Sequence, residues 1–277
     1  MSDRLAALMS RFSIHANTVH SGRICGAHPI ETAPGTGQLH LMTAGTMTVR
    51  HVDGESLTLV EPSVLLSPRP VAGSFVADET AGATLVCAEL SFGGGSVHPV
   101  IAALPSLVSL PLSKVPDAAP IFRLIGEEAA GDHCGRKAVL DSLCHVAVVH
   151  LLRELMDQRL IEAGLLAGLG HPRLSRAIVA MHDRPATAWT LEAMAEVAGM
   201  SRTAFACEFR DVVGATPFAY LQAWRIGLAQ AGIRDGRPLK LVALDVGYAG
   251  EAALSRAFRA QTGQSPREWK KAQPPRP

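Results

Sequence analysis

Short apolar segments separated by turn residues fill the first part of the chain, from Thr18 to about Leu112. The segments 47–52 and 56–60 alternate apolar and polar side chains, which predicts two half-buried strands. Further strands are predicted at 64–66, 74–76 and 84–90. Many short strands at regular spacing are typical of an antiparallel sandwich or barrel. We therefore expect an antiparallel β-barrel at the N-terminal end.

The pattern then changes to apolar residues at steps of three and four, which predicts amphipathic helices over 119–130 and 137–160. The stripe on the second helix consists of Leu140, Cys144, Ala147, Val148, Leu151 and Leu155. A stripe of this width either packs the helix on its own domain or also pairs it with a second subunit. Both alternatives stay open at this point, and the six residues are candidate dimerisation contacts.

The last third of the chain contains an internal repeat. Ala195 and Gly199 recur 48 residues later as Ala243 and Gly247. At a spacing of 49 residues, Phe209-Arg210, Gly214, Pro217 and Tyr220 match Phe258-Arg259, Gly263, Pro266 and Trp269. One residue inserted in a turn explains the change of spacing. A repeat of this regularity indicates two copies of one supersecondary unit.

Each copy has the pattern of a helix-turn-helix, over about 190–211 and 239–262. In the first copy, Gly199 suits the left-handed turn that ends one helix, and Ser201 suits the N-cap of the next. A helix over 217–233 joins the copies. The residues predicted to face DNA are Ser201, Arg202, Thr203, Arg210, Glu251, Ala252, Ser255, Arg256 and Arg259.

Charge supports a division of the chain into two parts. The 277 residues carry a formal net charge of +1. The part from His171 onward contains 15 lysines and arginines but only 9 aspartates and glutamates, so it is basic. The preceding part is acidic, with 11 lysines and arginines and 16 aspartates and glutamates. A basic C-terminal part next to an acidic remainder is expected when only one part binds phosphates.

From about residue 171 to 271 the chain resembles the DNA-binding domain of the AraC/XylS family of transcription regulators. The residues that carry the resemblance are Ala195, Gly199-Met200-Ser201, Phe205, Phe209-Arg210, Gly214, Pro217, Arg225, Ala229, Ala243, Val246-Gly247-Tyr248, Phe258-Arg259, Gly263, Ser265-Pro266 and Trp269. The resemblance implies two helix-turn-helix units in major grooves about one DNA turn apart, on the order of 34 Å. It also implies double-stranded DNA, RNA polymerase and a second copy of the chain as partners.

The second copy departs from the usual family pattern, because Gly250 and Ala252 stand where hydroxyl side chains are common and Glu251 adds a negative charge. We therefore expect the first copy to supply more of the affinity and base reading. Arg202 is the preferred base-reading residue, whereas the paired positions Arg210 and Arg259 suit structural or phosphate contacts.

The first half is similar to the cupin-like sensor domains of this family. The segments that carry the similarity are 21–26, 39–45, 64–69, 85–87 and 99–110. A histidine that commonly follows the Pro-Arg turn is replaced by Gly73. Around His40 and Cys87 the chain is similar to a subgroup that senses reactive chlorine through cysteine oxidation.

Three residues on predicted strands, Cys25, His40 and Cys87, are therefore candidates for the sensor chemistry. Thiolate and imidazole ligands would suit zinc or copper. Alternatively, Cys25 and Cys87 form a redox pair, with His40 lowering the pKa of a thiol. The third alternative is that Cys87 is a small core residue. Cys144 and Cys207 are predicted to lie in the core, and Cys134 in an exposed loop.

The sequence thus predicts an α+β multidomain protein: a cupin-like β-barrel sensor domain (1–112), a helical dimerisation or linker segment (113–168) and an all-α double helix-turn-helix domain (169–277). The expected function is a cytoplasmic DNA-binding transcription regulator, a homodimer, controlled by an unidentified effector. No segment is apolar enough to predict a membrane span, and common nucleotide-binding and hydrolase motifs are absent. The alternative is a cupin-like metal enzyme fused to a DNA-binding module.

Overall fold

A computed structural model describes residues 3–52, 54–93 and 98–272. They form two compact units. The N-terminal unit comprises residues 14–93 and 100–160, and the C-terminal unit comprises the described parts of 1–13, 97–99 and 161–277. None of the helices in the described ranges is long and apolar enough to span a membrane.

The N-terminal unit is built on two antiparallel sheets. Its strands are β1 (Ile14–Ile24), β2 (Gly26–Pro29), β3 (Gly37–Gly45), β4 (Met47–His51), β5 (Ser56–Leu59), β6 (Ser63–Ser67), β7 (Gly73–Ala77), β8 (Ala83–Phe92) and β9 (Val108–Pro111). One sheet has the order β1-β8-β3-β6-β9, and the other β2-β7-β4-β5. Met42, Leu65, Phe75 and Leu85 belong to the buried core that both sheets contribute to. The predicted antiparallel cupin-like fold is confirmed.

The N-terminal unit also contains helices, and two of them cover the larger sheet on its other side. The helices are α2 (Pro99–Ala103), α3 (Ala119–Ala130) and α4 (Arg136–Asp157), with a 3-10 turn at Leu112–Lys114. α3 packs on β1, β3 and β8, and α4 packs on α3 and β1. The six apolar residues of the α4 stripe are each no more than 2% exposed. The stripe therefore packs the helix on its own unit, and its six side chains are not available to a second subunit.

The C-terminal unit is helical. Its helices are α1 (Ala6–Arg11), α5 (Leu165–Gly170), α6 (Leu174–Asp183), α7 (Leu191–Ala198), α8 (Arg202–Val213), α9 (Pro217–Arg234), α10 (Leu239–Asp245), α11 (Glu251–Thr262) and α12 (Pro266–Ala272). α7 and α8 form the first predicted helix-turn-helix, and α10 and α11 form the second. α9 runs between them, as the sequence predicts.

The N-terminal segment differs from the predicted domain boundary, because it belongs to the C-terminal unit. Leu5, Leu8 and Phe12 are buried, and α1 packs on α6. The Phe12 ring lies 5.2 Å from the Trp224 ring of α9, measured between centroids. The sequence prediction missed this because apolar residues at positions 5, 8 and 12 indicate a buried helix face but not the unit that buries it.

The equivalent turn glycines of the two helix-turn-helix units meet different surroundings. Gly199 has φ +65°, and a Cβ added there would meet only a flexible arginine at 3.9 Å. Gly247 has φ +84°, and a Cβ there would lie 2.7 Å from the backbone Cα of Ala186. The second turn is thus pressed against the segment that leads into the first helix-turn-helix.

Gly247→Ala is therefore expected to destabilise the C-terminal unit more than Gly199→Ala. Both changes place a side chain at positive φ, which costs about 1–2 kcal/mol. Only Gly247→Ala also pushes the new side chain into the backbone of Ala186. Urea unfolding followed by tryptophan fluorescence measures the difference, because all three tryptophans lie in this unit. Equal losses for the two variants would contradict the close contact.

Candidate DNA-binding and sensor sites

The first helix-turn-helix is defined by caps that the sequence predicts. Thr190 Oγ1 accepts a hydrogen bond from Ala193 N at 3.1 Å, which caps α7, and Gly199 ends that helix in the left-handed conformation. Ser201 Oγ accepts from Ala204 N at 3.3 Å and caps α8. These bonds satisfy backbone groups that a helix end leaves without partners. In the second copy Gly250 occupies the N-cap of α11 and offers no side-chain cap.

The buried residues of α8 and α11 fix which faces point outward. Phe205 and Phe209 of α8 are fully buried, as are the matching Leu254 and Phe258 of α11. At about 100° per residue, the opposite face of α8 is centred on Cys207. The described structure places every predicted DNA-facing residue on an exposed face except Ser255, which is half-buried.

Cys207 is exposed, so the prediction that it lies in the core is wrong. Neighbouring core residues in sequence suggested burial, but position 207 lies about 200° around the helix from Phe205. The 49-residue spacing of the repeat matches Cys207 to Arg256, which is also exposed. The sequence therefore contained a signal for the exposure of Cys207, because the repeat aligns it with a charged residue, Arg256.

Several arginines of the recognition helices already have acidic partners. Arg202 donates to Glu192 Oε1 of α7 at 2.6 Å. Arg259 donates to Glu268 Oε2 of α12 at 3.0 Å. The same Glu268 oxygen accepts from Ser265 N. The side chain and the backbone of Ser265, followed by Arg259, lower the pKa of the Glu268 carboxyl to about 2. Arg256 forms no ion pair within the part of the chain that the structure describes.

Arg225 of α9, one of the residues that carry the family resemblance, is structural. Its Nε donates to the carbonyl of Pro185 at 2.7 Å, and a terminal nitrogen donates to the carbonyl of Thr187 at 2.9 Å. Its guanidinium carbon lies 5.9 Å from the centroid of the Tyr248 ring. Arg225 thereby connects the joining helix to the segment before the first unit and to the turn of the second.

Comparison with known protein families gives one match in each of the two parts of the chain. The family described as "Cupin" matches residues 3–157, and the family described as "Helix-turn-helix domain" matches residues 194–272. The chain is 30% identical over 249 residues to the RCS-specific HTH-type transcriptional activator RclR of Escherichia coli (strain K12), covering 85% of this chain and 86% of that protein. This chain belongs to the AraC family of transcription regulators.

Two further comparisons cover almost the full length of this AraC-type regulator. It is 30% identical over 302 residues to an AraC-like transcription regulator of Streptomyces antibioticus, covering 98% of each chain. The crystal structure of ToxT from Vibrio cholerae O395 covers 95% of this chain and 98% of its own, with 10% identity and a TM-score of 0.41. The relatives are transcription regulators by name, and nothing in the comparisons supports the enzyme alternative.

The interior of the N-terminal unit brings together two of the three predicted sensor residues. His40 of β3 pairs directly with Cys87 of β8, and both are buried. His40 Nε2 lies 3.2 Å from Gln38 Oε1, and its Nδ1 has no hydrogen-bond partner. The ring lies 4.8 Å from that of Phe75 between centroids. This is a buried, mostly apolar surrounding for a histidine and a thiol.

Cys25 lies apart from this pair. It is exposed and follows Ile24, which pairs with Ala83 of β8. Cys87 lies four positions after Ala83, about 13 Å along a strand. Among residues 3–52, 54–93 and 98–272, no group of three His, Cys, Asp or Glu side chains is placed to hold a metal ion. The predicted three-residue zinc or copper site is thus not assembled.

Burial also determines the protonation of the pair. It raises the pKa of the Cys87 thiol to about 12, with a smaller contribution from Cys144, and lowers the pKa of His40 to about 4. A thiol is nucleophilic only as thiolate, so Cys87 is poorly suited to rapid oxidation in this structure. The geometry is closest to the alternative in which Cys87 is a core residue. Cys144 is also buried, and Cys134 is exposed, as the sequence predicts.

His40 is expected to make the stability of the N-terminal unit depend on pH. Below about pH 6.5 the unfolded chain takes up a proton on His40, whereas the folded chain resists it until about pH 4. Stability from this group is therefore present above about pH 6.5 and falls with decreasing pH, by up to about 1.4 kcal/mol per unit. His40→Gln should remove this part of the slope in urea unfolding followed by circular dichroism.

Phe75→Leu is the control for this measurement, since it alters the ring contact without removing a titratable group. It should lower the free energy of unfolding and keep the slope with pH. A slope in His40→Gln equal to that of the unchanged protein would show that the buried imidazole does not resist protonation.

Proposed function

We propose that this AraC-type regulator binds DNA with α8 and α11 in two successive major grooves and regulates transcription from that position. The observation that carries the proposal is the matched pair of helices, each with two buried apolar residues on one face and an exposed polar face opposite. A recognition helix in the major groove reads bases with residues of its outer face. As a DNA-binding regulator it acts in the cytoplasm, and contact with RNA polymerase follows from the family.

The ion pairs favour α11, rather than α8, as the helix that reads guanine. Arg202 would have to leave Glu192 before contacting a base, and Arg259 would have to leave Glu268. Arg256 has neither constraint and matches the central position of the outer face. An arginine fork that reaches O6 and N7 of guanine is the commonest specific contact with DNA. This proposal differs from the expectation from sequence that the first copy supplies more of the affinity and base reading.

The first recognition helix then presents small and weakly polar side chains. Thr203 and Cys207 are exposed on α8 beside Arg210. Side chains of this kind suit apolar contact with the methyl group of thymine. Arg210 lies 4.0 Å from the neighbouring Asp211 carboxylate and remains accessible for a phosphate. The two half-sites are therefore read by different chemistry.

Arg256→Ala should weaken binding to a selected DNA site by ~1–3 kcal/mol and relax the preference for one guanine. Arg202→Ala should have a smaller effect, because the ion pair with Glu192 already engages that arginine. Fluorescence anisotropy on DNA selected from a random pool, and on unselected DNA, separates the two effects. An equal loss for Arg256→Ala on both DNAs would assign Arg256 to the phosphate backbone.

We also propose that two copies of the chain associate through the outer face of α4. Val139 and Val146 are 42% and 38% exposed, and the half-buried Leu143 and Val149 lie beside them. A seven-residue spacing keeps apolar side chains on one seam of a helix pair. This surface replaces the buried stripe that the sequence suggested for dimerisation.

Val146→Asp is expected to convert a dimer to a monomer, since the carboxylate would be buried in the seam without a partner. Sedimentation velocity across a range of protein concentrations measures the change. Leu124→Asp is the matched control, because Leu124 of α3 is 44% exposed and lies outside this face. If both variants sediment like the unchanged protein, α4 is not the contact.

An oxidant is a candidate signal for this regulator, suggested by the name of RclR. In this chain the reaction would begin at an exposed thiol such as Cys25, because Cys87 is buried and its pKa is raised. Counting free thiols before and after mild hypochlorite treatment tests the idea, with Cys25→Ser as the variant. Unchanged thiol loss in Cys25→Ser, or unchanged DNA binding after oxidation, would contradict it.

A further inference from the structure

A small cavity of about 130 Å³ lies between the first strand and the long helix of the N-terminal unit. Its walls are residues 18–21 of β1 and Arg136, Lys137 and Leu140 of α4. The strand is irregular at this point, because the pairing of β1 with β8 shifts register between Thr18 and His20. Such bulges are over-represented beside functional sites.

The charge of Arg136 is not compensated in the described part of the chain. Its guanidinium donates to Ser21 Oγ at 2.7 Å and to the Ala129 carbonyl, both of which are neutral. Its Nε is buried and has no hydrogen-bond partner. A half-buried cation without a carboxylate is unfavourable unless an anion accompanies it.

Lys137 differs from Arg136. Its Nζ donates to Asn17 Oδ1 at 2.6 Å and to Asp141 Oδ2 at 2.9 Å. Asp141 Oδ1 also accepts from Thr18 N at 2.6 Å. The lysine and the aspartate therefore compensate each other, and the cavity retains the single positive charge of Arg136.

We propose that this cavity binds a small oxyanion, a carboxylate or a phosphate, with Arg136 as its counter-charge. Arg136 connects β1 and the end of α3 to the start of α4, so a bound anion contacts the helix whose outer face is proposed to join two subunits. The anion would then be the class of effector that this regulator senses. That last step rests on the proposed function, whereas anion binding itself does not.

The test compares sodium acetate and sodium phosphate with sodium chloride at equal ionic strength. Either oxyanion should raise the melting temperature in a saturable manner, because a ligand of the folded state stabilises it. Arg136→Gln should weaken binding about tenfold or more, as expected for a lost charge-assisted hydrogen bond. Arg123→Gln is the control of equal charge change, since Arg123 is exposed on α3 and paired with Glu127.

Val19→Phe provides a variant that keeps both cations. Val19 lines the cavity and is 55% exposed, so a larger side chain there fills the cavity with little cost to the core. It should also abolish the anion effect. Equal melting shifts in all four proteins, or no shift with either oxyanion, would overturn the site. DNA affinity is measured separately, with and without the oxyanion that gives the larger melting shift. If the protein fails to bind DNA, the proposed function is wrong, but the melting shift still shows whether the anion binds.

Discussion

The arrangement of the two DNA-reading units depends on one interaction, the clamp that Arg225 makes on the segment before the first unit. Two hydrogen bonds hold the carbonyls of Pro185 and Thr187, and Tyr248 of the second turn lies against the same guanidinium. Gly247 then contacts the Ala186 backbone without space for a side chain. These contacts hold the second turn and the joining helix against the segment that leads into the first helix-turn-helix.

Ion pairs make α8 and α11 differ, although the sequence repeat places them in equivalent positions. Acidic residues from neighbouring helices engage Arg202 and Arg259, whereas Arg256 stays available. The cost of breaking an exposed pair is small, on the order of 0–1 kcal/mol. In the proposed DNA complex, Arg202 and Arg259 would each lose this energy on contacting a base, whereas Arg256 would not. A doubled DNA-binding unit can in this way read its two half-sites unequally.

The N-terminal unit places its polar groups in two different surroundings. Burial of His40 and Cys87 in the interior keeps both side chains neutral, which suits packing more than chemistry. Arg136 lies on the opposite side of the same sheet, where no carboxylate among the described residues pairs with it and a cavity lies beside it. An anion bound there, as proposed, would contact α4 directly, without entering the core.

The sequence by itself determined the parts of this protein that rest on periodicity. The repeat offset, the caps at Thr190 and Ser201 and the apolar spacing located both helix-turn-helix units and most strands, because these patterns depend on neighbours close in the chain. Only the tertiary structure decided which partners meet across distance. It separated Cys25 from Cys87, buried the α4 stripe and paired Arg202 with Glu192, since sequence spacing does not specify contacts between elements.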